Sequence, residues 1–419
     1  MDKLKRFLLI LGPGILWATI AIGETHLVLL PYAGALFGMN VLWVVLLVHV
    51  FYYPNFEFGP RYAVATGESL IDGYGRMKLG KAFNWFFLVL MLVTPPLMMG
   101  SLVGLTGSAL YAGIPALGFN IWCTIACAVT LAIIVSRKYK VIERIAKLLT
   151  FIIVTISLFA FFTSPPSPTE LAEGLIPRLS ATAAFMLVLV AVLRMPTDPT
   201  VSIFLSKWAQ EKRREWGDDK HVLLNSLNKS LMDIRTGFVI SFGVAVVFLA
   251  LGATVLRPLG IVPQGIDISV KLSEIYTNSF GRWIYPVFII GALAAFWGTY
   301  LSAMDGILRL FSNIIGRIFG TDKKKLETIG SIYTILMALA GLMMATVIKR
   351  PVALVLLAVS MGLFYYPIIF SMNIYCVTKL IDKEFRPGKL NLTIAFLGLI
   401  LGITALILLI LVRVLKVFD

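Results

Sequence analysis

AAFMLVLVAVLRMPTDPTVSIFL, residues 183–205, is apolar enough to cross a lipid bilayer, yet it carries an arginine, an aspartate and two prolines in its second half. Those properties pull against one another. A membrane helix needs about 20 predominantly apolar residues to cross roughly 30 Å of hydrocarbon, and an ionised side chain at that depth costs about 3 kcal/mol even on lenient insertion scales. Pro196 and Pro199 each remove a backbone donor and block a helical hydrogen bond, freeing carbonyls that must find water, an ion or a substrate. Irregular backbone is tolerated at membrane depth only where protein buries it or where it lines a cavity. The stretch therefore reads as a membrane span broken at Met195-Pro196-Thr197-Asp198-Pro199-Thr200, in an all-α integral membrane protein with a site near mid-bilayer.

The rest of the chain supplies the bundle that such a span requires. Apolar runs of membrane-crossing length fall near 7–30, 38–54, 83–111, 121–136, 148–164, 180–205, 232–256, 283–308, 328–348, 352–378 and 391–412, which predicts eleven transmembrane helices. Hydrophobic residues make up 59% of the 419 and charged residues 14%, too few charges to cover a water-facing surface of this size. Loop charge checks the count independently, because short cytoplasmic loops collect Lys and Arg. With the N-terminus inside, about 28 of the 37 Lys and Arg fall in cytoplasmic segments, about 8 fall outside and Arg194 lies within a span. That alternation puts the C-terminus outside and predicts a multi-pass protein of the cell membrane. The N-terminal stretch has a basic start and an apolar run but no small-residue cleavage site, and it reads as the first helix. The net charge of +15 is spread over short clusters between apolar runs, so no nucleic-acid surface is implied. Cys123, Cys127 and Cys376 read as buried thiols, without the further ligands that zinc would require.

A second polar break, Gly23-Glu24-Thr25-His26, interrupts the first span as the Pro-rich one interrupts the sixth. Matched breaks in the first helix of each half predict inverted five-helix repeats, with repeat one at about 7–164, repeat two at about 180–378 and an extra helix at 391–412, all within a single domain spanning 1–419. In that architecture broken helices 1 and 6 meet at the midplane.

The stretch GPGILWATIAIGETHLVLLPYAGALFGMNVLW resembles the first-span region of the Nramp metal-ion transporters, in which a GPG start, a Gly-x-x-Phe-Gly turn and a Leu-Trp pair bracket a DPGN motif. Gly12-Pro13-Gly14, Gly34, Phe37-Gly38 and Leu42-Trp43 keep that spacing without gaps, and GETH stands where the family has DPGN. Ser206 and Gln210 match the Ser and Gln that follow the family's MPH motif, which puts Asp198-Pro199-Thr200 on Met-Pro-His. Weaker likenesses lie at 298–300, around Pro367 and at ATGESL after the second span. The resemblance implies a metal-ion transporter and no cofactor. The family's metal ligands are replaced here by Gly23, His26 and Asp198, so the soft thioether is missing, and carboxylate, hydroxyl and carbonyl oxygen suit harder ions such as Mg²⁺ and Mn²⁺. Ser101 and Gly104 fill the third-span places where the family has acidic residues for protons.

The candidate metal ligands are Glu24, Asp198 and Thr200, with Thr25, His26 and Arg194 completing the candidate substrate-binding set. Arg194 stands four residues before Asp198 and can reach it on a helix, either as a structural ion pair or as an anchor for an anionic or zwitterionic organic solute. Two functions thus stay open: a carrier of a small divalent cation, and the same fold carrying an amino or carboxylic acid. A membrane enzyme is disfavoured because His26, His49 and His221 are scattered and no nucleophile-base pair is apparent; an inactive sensor or scaffold is a further possibility. The expected partners are the transported ion or solute and the lipid bilayer. Asp305 and Arg309 are expected to form a surface pair, Asn373 a helix-helix hydrogen bond, His49 a packing contact and Pro95-Pro96 a kink.

Overall fold

The computed structural model describes residues 23–136, 140–217 and 219–413. The first-span expectations that fall on residues 1–22, including Gly12-Pro13-Gly14 and the N-terminal orientation, lie outside the described residues.

Among these residues the regular structure is helical. A π-turn, Thr25–Leu29, opens directly after Glu24 and runs into α1, Leu30–Phe37. The polar GETH segment thus emerges as a widened helical turn, the form in which helices often carry functional side chains. Gly38 ends α1 with φ +61°, a conformation that a Cβ disfavours, and α2, Leu42–Thr66, follows. A short α3, Leu70–Gly75, is held by a Ser69/Asp72 capping box. Then come α4, Gly80–Gly113, α5, Phe119–Ser136, α6, Lys140–Thr163, and a short capped α7, Pro168–Gly174. Helix α4 continues through Pro95 and Pro96.

The quoted stretch is not one helix. It gives α8, Ala183–Val192, a non-helical segment with a cis Met195–Pro196 bond, and α9, Val201–Trp216. After it lie α10, Lys220–Leu251, which ends in a second π-turn at Gly252–Leu256, then α11, Ile268–Phe280, α12, Tyr285–Phe319, and α13, Lys323–Ile348. The tenth apolar run is also divided. Helix α14, Pro351–Gly362, and α15, Tyr366–Lys379, meet at an angle of 41°, and α16, Lys389–Arg413, closes the described chain.

By length and composition, six of the described helices can cross a membrane, or up to eight if each bent pair is one span; Phe119–Val135 and Ala183–Val192 are shorter apolar helices. Large apolar side chains such as Phe159, Phe162 and Val347 project from the bundle, each more than 60% exposed, a surface that hydrocarbon solvates and water does not. Two packing centres organise the interior: α4 lies along α12, α13 and α14, and α2 lies against α9, α10 and α16. Helix α1 meets the second π-turn almost backbone to backbone. A methyl group on Gly34 would stand 2.8 Å from the Ala253 nitrogen, and one on Gly252 would stand 2.7 Å from Pro31 Cα, so only glycine permits this crossing. Cys123, Cys127 and Cys376 are free and buried.

Candidate functional site

Helices α8 and α9 are separated by residues 193–200, and the sequence between them folds around its own aspartate. Asp198 Oδ1 accepts the Thr200 backbone N–H at 2.9 Å and the Thr200 hydroxyl at 2.5 Å. Its Oδ2 accepts from Arg194 Nη2 at 2.9 Å and from the Tyr365 hydroxyl. The expected i,i+4 ion pair therefore forms, with side-chain exposures of 8% for Arg194 and 17% for Asp198. Tyr366 supports the same segment from below: its hydroxyl donates to the Arg194 carbonyl at 2.5 Å and to that of Thr197. Two carbonyls stranded by the break are thus satisfied by a side chain of another helix. The Nε–H of Arg194 is buried and has no hydrogen-bond partner among the described residues. Gly362 covers it, since a Cβ there would come within 2.9 Å of that nitrogen.

The first break is furnished more sparsely. Glu24 is buried, and its Oε2 accepts the Ser101 hydroxyl at 2.8 Å, the hydrogen bond it makes among the described residues. Ser101 comes from α4. Gly23 packs against Thr299. His26 turns to the other side, and its Nε2 lies 3.1 Å from the Ser241 hydroxyl, which His49 Nε2 approaches at the same distance. His49 Nδ1 donates to the Val45 carbonyl at 2.7 Å, so in the neutral ring Nε2 accepts from Ser241 and the hydroxyl in turn accepts from His26. Thr25 is buried in the π-turn, which packs against α14. Arg194 is paired with Asp198. Among the described residues, no three His, Cys, Asp or Glu side chains are grouped to hold a metal ion.

The two ends of the bundle differ in closure. At the end bearing the basic loops, Asp72 accepts from Ser69 N at 2.9 Å and from Arg317 Nη2, and Leu70 N donates to Ser206 Oγ at 3.0 Å. Gln210 donates to the Gly67 carbonyl at 3.0 Å, and the Tyr74 hydroxyl donates to Asn373, which itself donates to Asn55 O and Ser202 Oγ. Glu57 accepts from Tyr53, Arg61 and Asn391. Asp72 lies outside the apolar spans; burial works against its charge, but hydrogen bonds from Ser69 and Arg317 hold its carboxyl below the ordinary range. At the opposite end a cavity of about 480 Å³ opens between Tyr32, Asp267, Lys271, Arg350, Val352 and Leu356. Neither Glu24 nor Asp198 lines it. Leu356 stands six residues before Gly362, about 9 Å along the helix, so its floor approaches the break from above. Asp305 pairs with Arg309 at 2.7 Å, as expected of a surface pair.

The sequence profile described as natural resistance-associated macrophage protein-like matches residues 16–413. The chain belongs to the Nramp family. Nramp proteins are membrane transporters of metal ions and not enzymes, and the apolar helical bundle agrees. The chain is 27% identical to an uncharacterised protein of Pasteurella multocida (strain Pm70) over 345 residues, 79% of this chain and 76% of that one. It is 25% identical over 188 residues, 44% of each chain, to the divalent metal cation transporter MntH of Mycobacterium leprae (strain TN). In fold it is similar to the Eremococcus coleocola manganese transporter solved with an aromatic bis-isothiourea substituted compound: TM-score 0.73, 13% identity, 98% of this chain and 87% of that one. It is also similar to Mhp1, a nucleobase-cation-symport-1 family transporter, with TM-score 0.60 and 13% identity over 96% of this chain and 91% of that one.

The sequence names Glu24, Asp198 and Arg194 as candidates but does not show which side chains surround them. Tyr365, Tyr366 and Gly362 sit at the break between α14 and α15, inside a run that reads as uninterrupted and apolar. Gly362 followed closely by Pro367 was the available signal.

Proposed function

We propose that this Nramp protein is an alternating-access carrier for a divalent metal ion, Mg²⁺ or Mn²⁺, with Glu24, Asp198 and Thr200 as its ligands and Thr25 beside them. The observation that carries the reading is Glu24: a buried carboxylate beside a π-turn in an interrupted helix, bonded among the described residues to one hydroxyl, with Oε1 taking no hydrogen bond from them. Oxygen ligands of this kind favour hard cations. Eleven spans in two inverted five-helix repeats, plus a last helix, account for the broken first and sixth segments. The positive-inside pattern sets the basic end of the bundle in the cytoplasm and the cavity end outside, in a cell membrane. A basic end tied by hydrogen bonds and a cavity at the other end support an outward-facing reading. Ions would come in past Tyr32 and Leu356, and the first and sixth segments would rock to expose the midplane inward.

Titration calorimetry of the purified protein with Mn²⁺ and Mg²⁺, together with uptake into liposomes, tests this. Wild type should bind and move the ion, and Glu24→Gln should bind it at least about tenfold more weakly. Absence of binding heat from both ions would remove the metal reading.

Two observations favour a second reading, an organic acid as cargo: the unpartnered buried Nε of Arg194, and a cavity mouth where Lys271 and Arg350 outnumber Asp267. Heat from amino or carboxylic acids in the same calorimeter, with none from the metals, would establish it in place of the first.

A further inference from the structure

Among the candidate ligands, Asp198 is unsuited to meeting an ion as the structure has it. A carboxylate offers about four acceptor positions, and Arg194 Nη2, the Tyr365 hydroxyl, and the Thr200 nitrogen and hydroxyl take them. An ion can use Asp198 only by displacing a donor. Thr200 is tied to the same turn of backbone, and Tyr365 is fixed by the α14–α15 break beneath it. Arg194 is the donor that can leave. Its backbone carbonyl is pinned by Tyr366, whereas its guanidinium is held through Nη2 on Asp198 and by the Tyr365 hydroxyl beside it, with Nε unbonded among the described residues.

The charges give the exchange a purpose. Glu24 and Asp198 against Arg194 leave the empty site with a formal charge of minus one. Without the arginine it would be minus two, and bare carboxylates inside a membrane protein resist any step that passes them through a sealed, dry state. A carrier that moves cargo in net fashion must make that passage empty once in every cycle.

We propose that Arg194 is a surrogate cation: its guanidinium occupies Asp198 in the empty carrier, yields to the transported divalent ion, and returns when the ion leaves, so that the empty protein can reorient. This rests on the metal-ion reading of the site. Two consequences follow from charge alone. Neutralising Arg194 strengthens ion binding, because the competitor is gone. It also slows the empty return more than the loaded crossing, so net transport falls relative to exchange.

The test uses the full-length protein in liposomes with Mn²⁺ as the probe. Binding is measured by calorimetry, and two fluxes of radioactive Mn²⁺ are compared: net uptake into ion-free vesicles, and exchange with equal Mn²⁺ inside. For Arg194→Gln the expected results are a Kd about tenfold tighter or more and a ratio of net uptake to exchange about tenfold lower than in wild type. Arg194→Lys keeps a cation and should hold the ratio within about threefold of wild type. Equal loss of both fluxes in Arg194→Gln, with Mn²⁺ bound as in wild type or more weakly, would overturn the proposal by reducing the pair to scaffolding. A collapsed ratio in Arg194→Lys would overturn it too. If Arg194→Gln does not yield folded protein, Arg194→His carries the test through pH: the ratio should stay within about threefold of wild type at about pH 5.5, where imidazole is charged, and fall about tenfold near pH 8, and a ratio that does not change with pH refutes the surrogate role. Wild-type protein that neither binds nor moves Mn²⁺ or Mg²⁺ would defeat the underlying metal reading, an outcome separable from all of these.

Discussion

The segments that carry Glu24 and Asp198 furnish their acids in opposite ways. Glu24 has one hydroxyl partner among the described residues and an oxygen that accepts nothing from them, whereas Asp198 is saturated by four donors that include a full positive charge. The sparse acid is open as it stands, and the saturated one is open only once a donor has left it. A carboxylate on a broken membrane helix is therefore not by itself an ion site. Its neighbours decide whether it is an open ligand or part of the scaffold.

The sharpest way to break this contrast is Asp198→Asn, which strands a buried guanidinium. Removing one partner of a buried pair costs about 3–5 kcal/mol, so the detergent-solubilised protein should melt several degrees lower in a thermofluor assay. Glu24→Gln, by contrast, should leave melting nearly unchanged; a drop equal to that of Asp198→Asn would show that both acids are structural. Tyr365→Phe removes one donor from Asp198 while keeping the ring, and about 1–2 kcal/mol of stability should go with it, with Mn²⁺ affinity unchanged or tighter. Weaker Mn²⁺ binding in that variant would reverse the assignment of Tyr365 as a scaffold contact. Ser101→Ala should cost about 1 kcal/mol or less, and its effect should appear in ion affinity rather than in melting temperature.

Asp72 supplies the mildest test, because it too is surrounded by donors but is partly solvated. Its carboxyl is held below the ordinary value of 3.8, so the stability it lends the basic end is complete above that value and is lost as pH falls through the lower folded one. Hydrogen exchange of the loop around residues 67–79 should stay slow, after correction for intrinsic rates, down to pH 4 and rise below it. Asp72→Asn should show the raised exchange already at pH 7.

Much of the bundle could be read from sequence because lipid imposes a coarse rule: long apolar runs, with basic residues collected between them. The sixth break was legible for the same reason, since Pro196, Asp198 and Pro199 violate that rule openly. So was the Arg194–Asp198 pair, which needs only a spacing of four. The break between α14 and α15 was not, because Leu363, Phe364, Tyr365 and Tyr366 satisfy the apolar rule while the hydroxyls of the two tyrosines do polar work. Ser241 was missed likewise: a lone serine in an apolar run gives no sign that two imidazoles from two other segments converge on it. Which partner a buried acid takes is decided by helices far apart in the chain, and spacing within one helix does not encode it. That is why the sequence offers the acids as candidates and is silent on their unequal surroundings.

The glycine contact between α1 and the end of α10 bears on how such a molecule can move at all. Where two backbones touch with no side chains interposed, there is nothing to slide, re-rotamerise or yield, so the outer part of the first segment and the top of the seventh travel as one block. Bending must then concentrate just beneath, in the loosened turn from Thr25 to Leu29, which joins that block to Glu24.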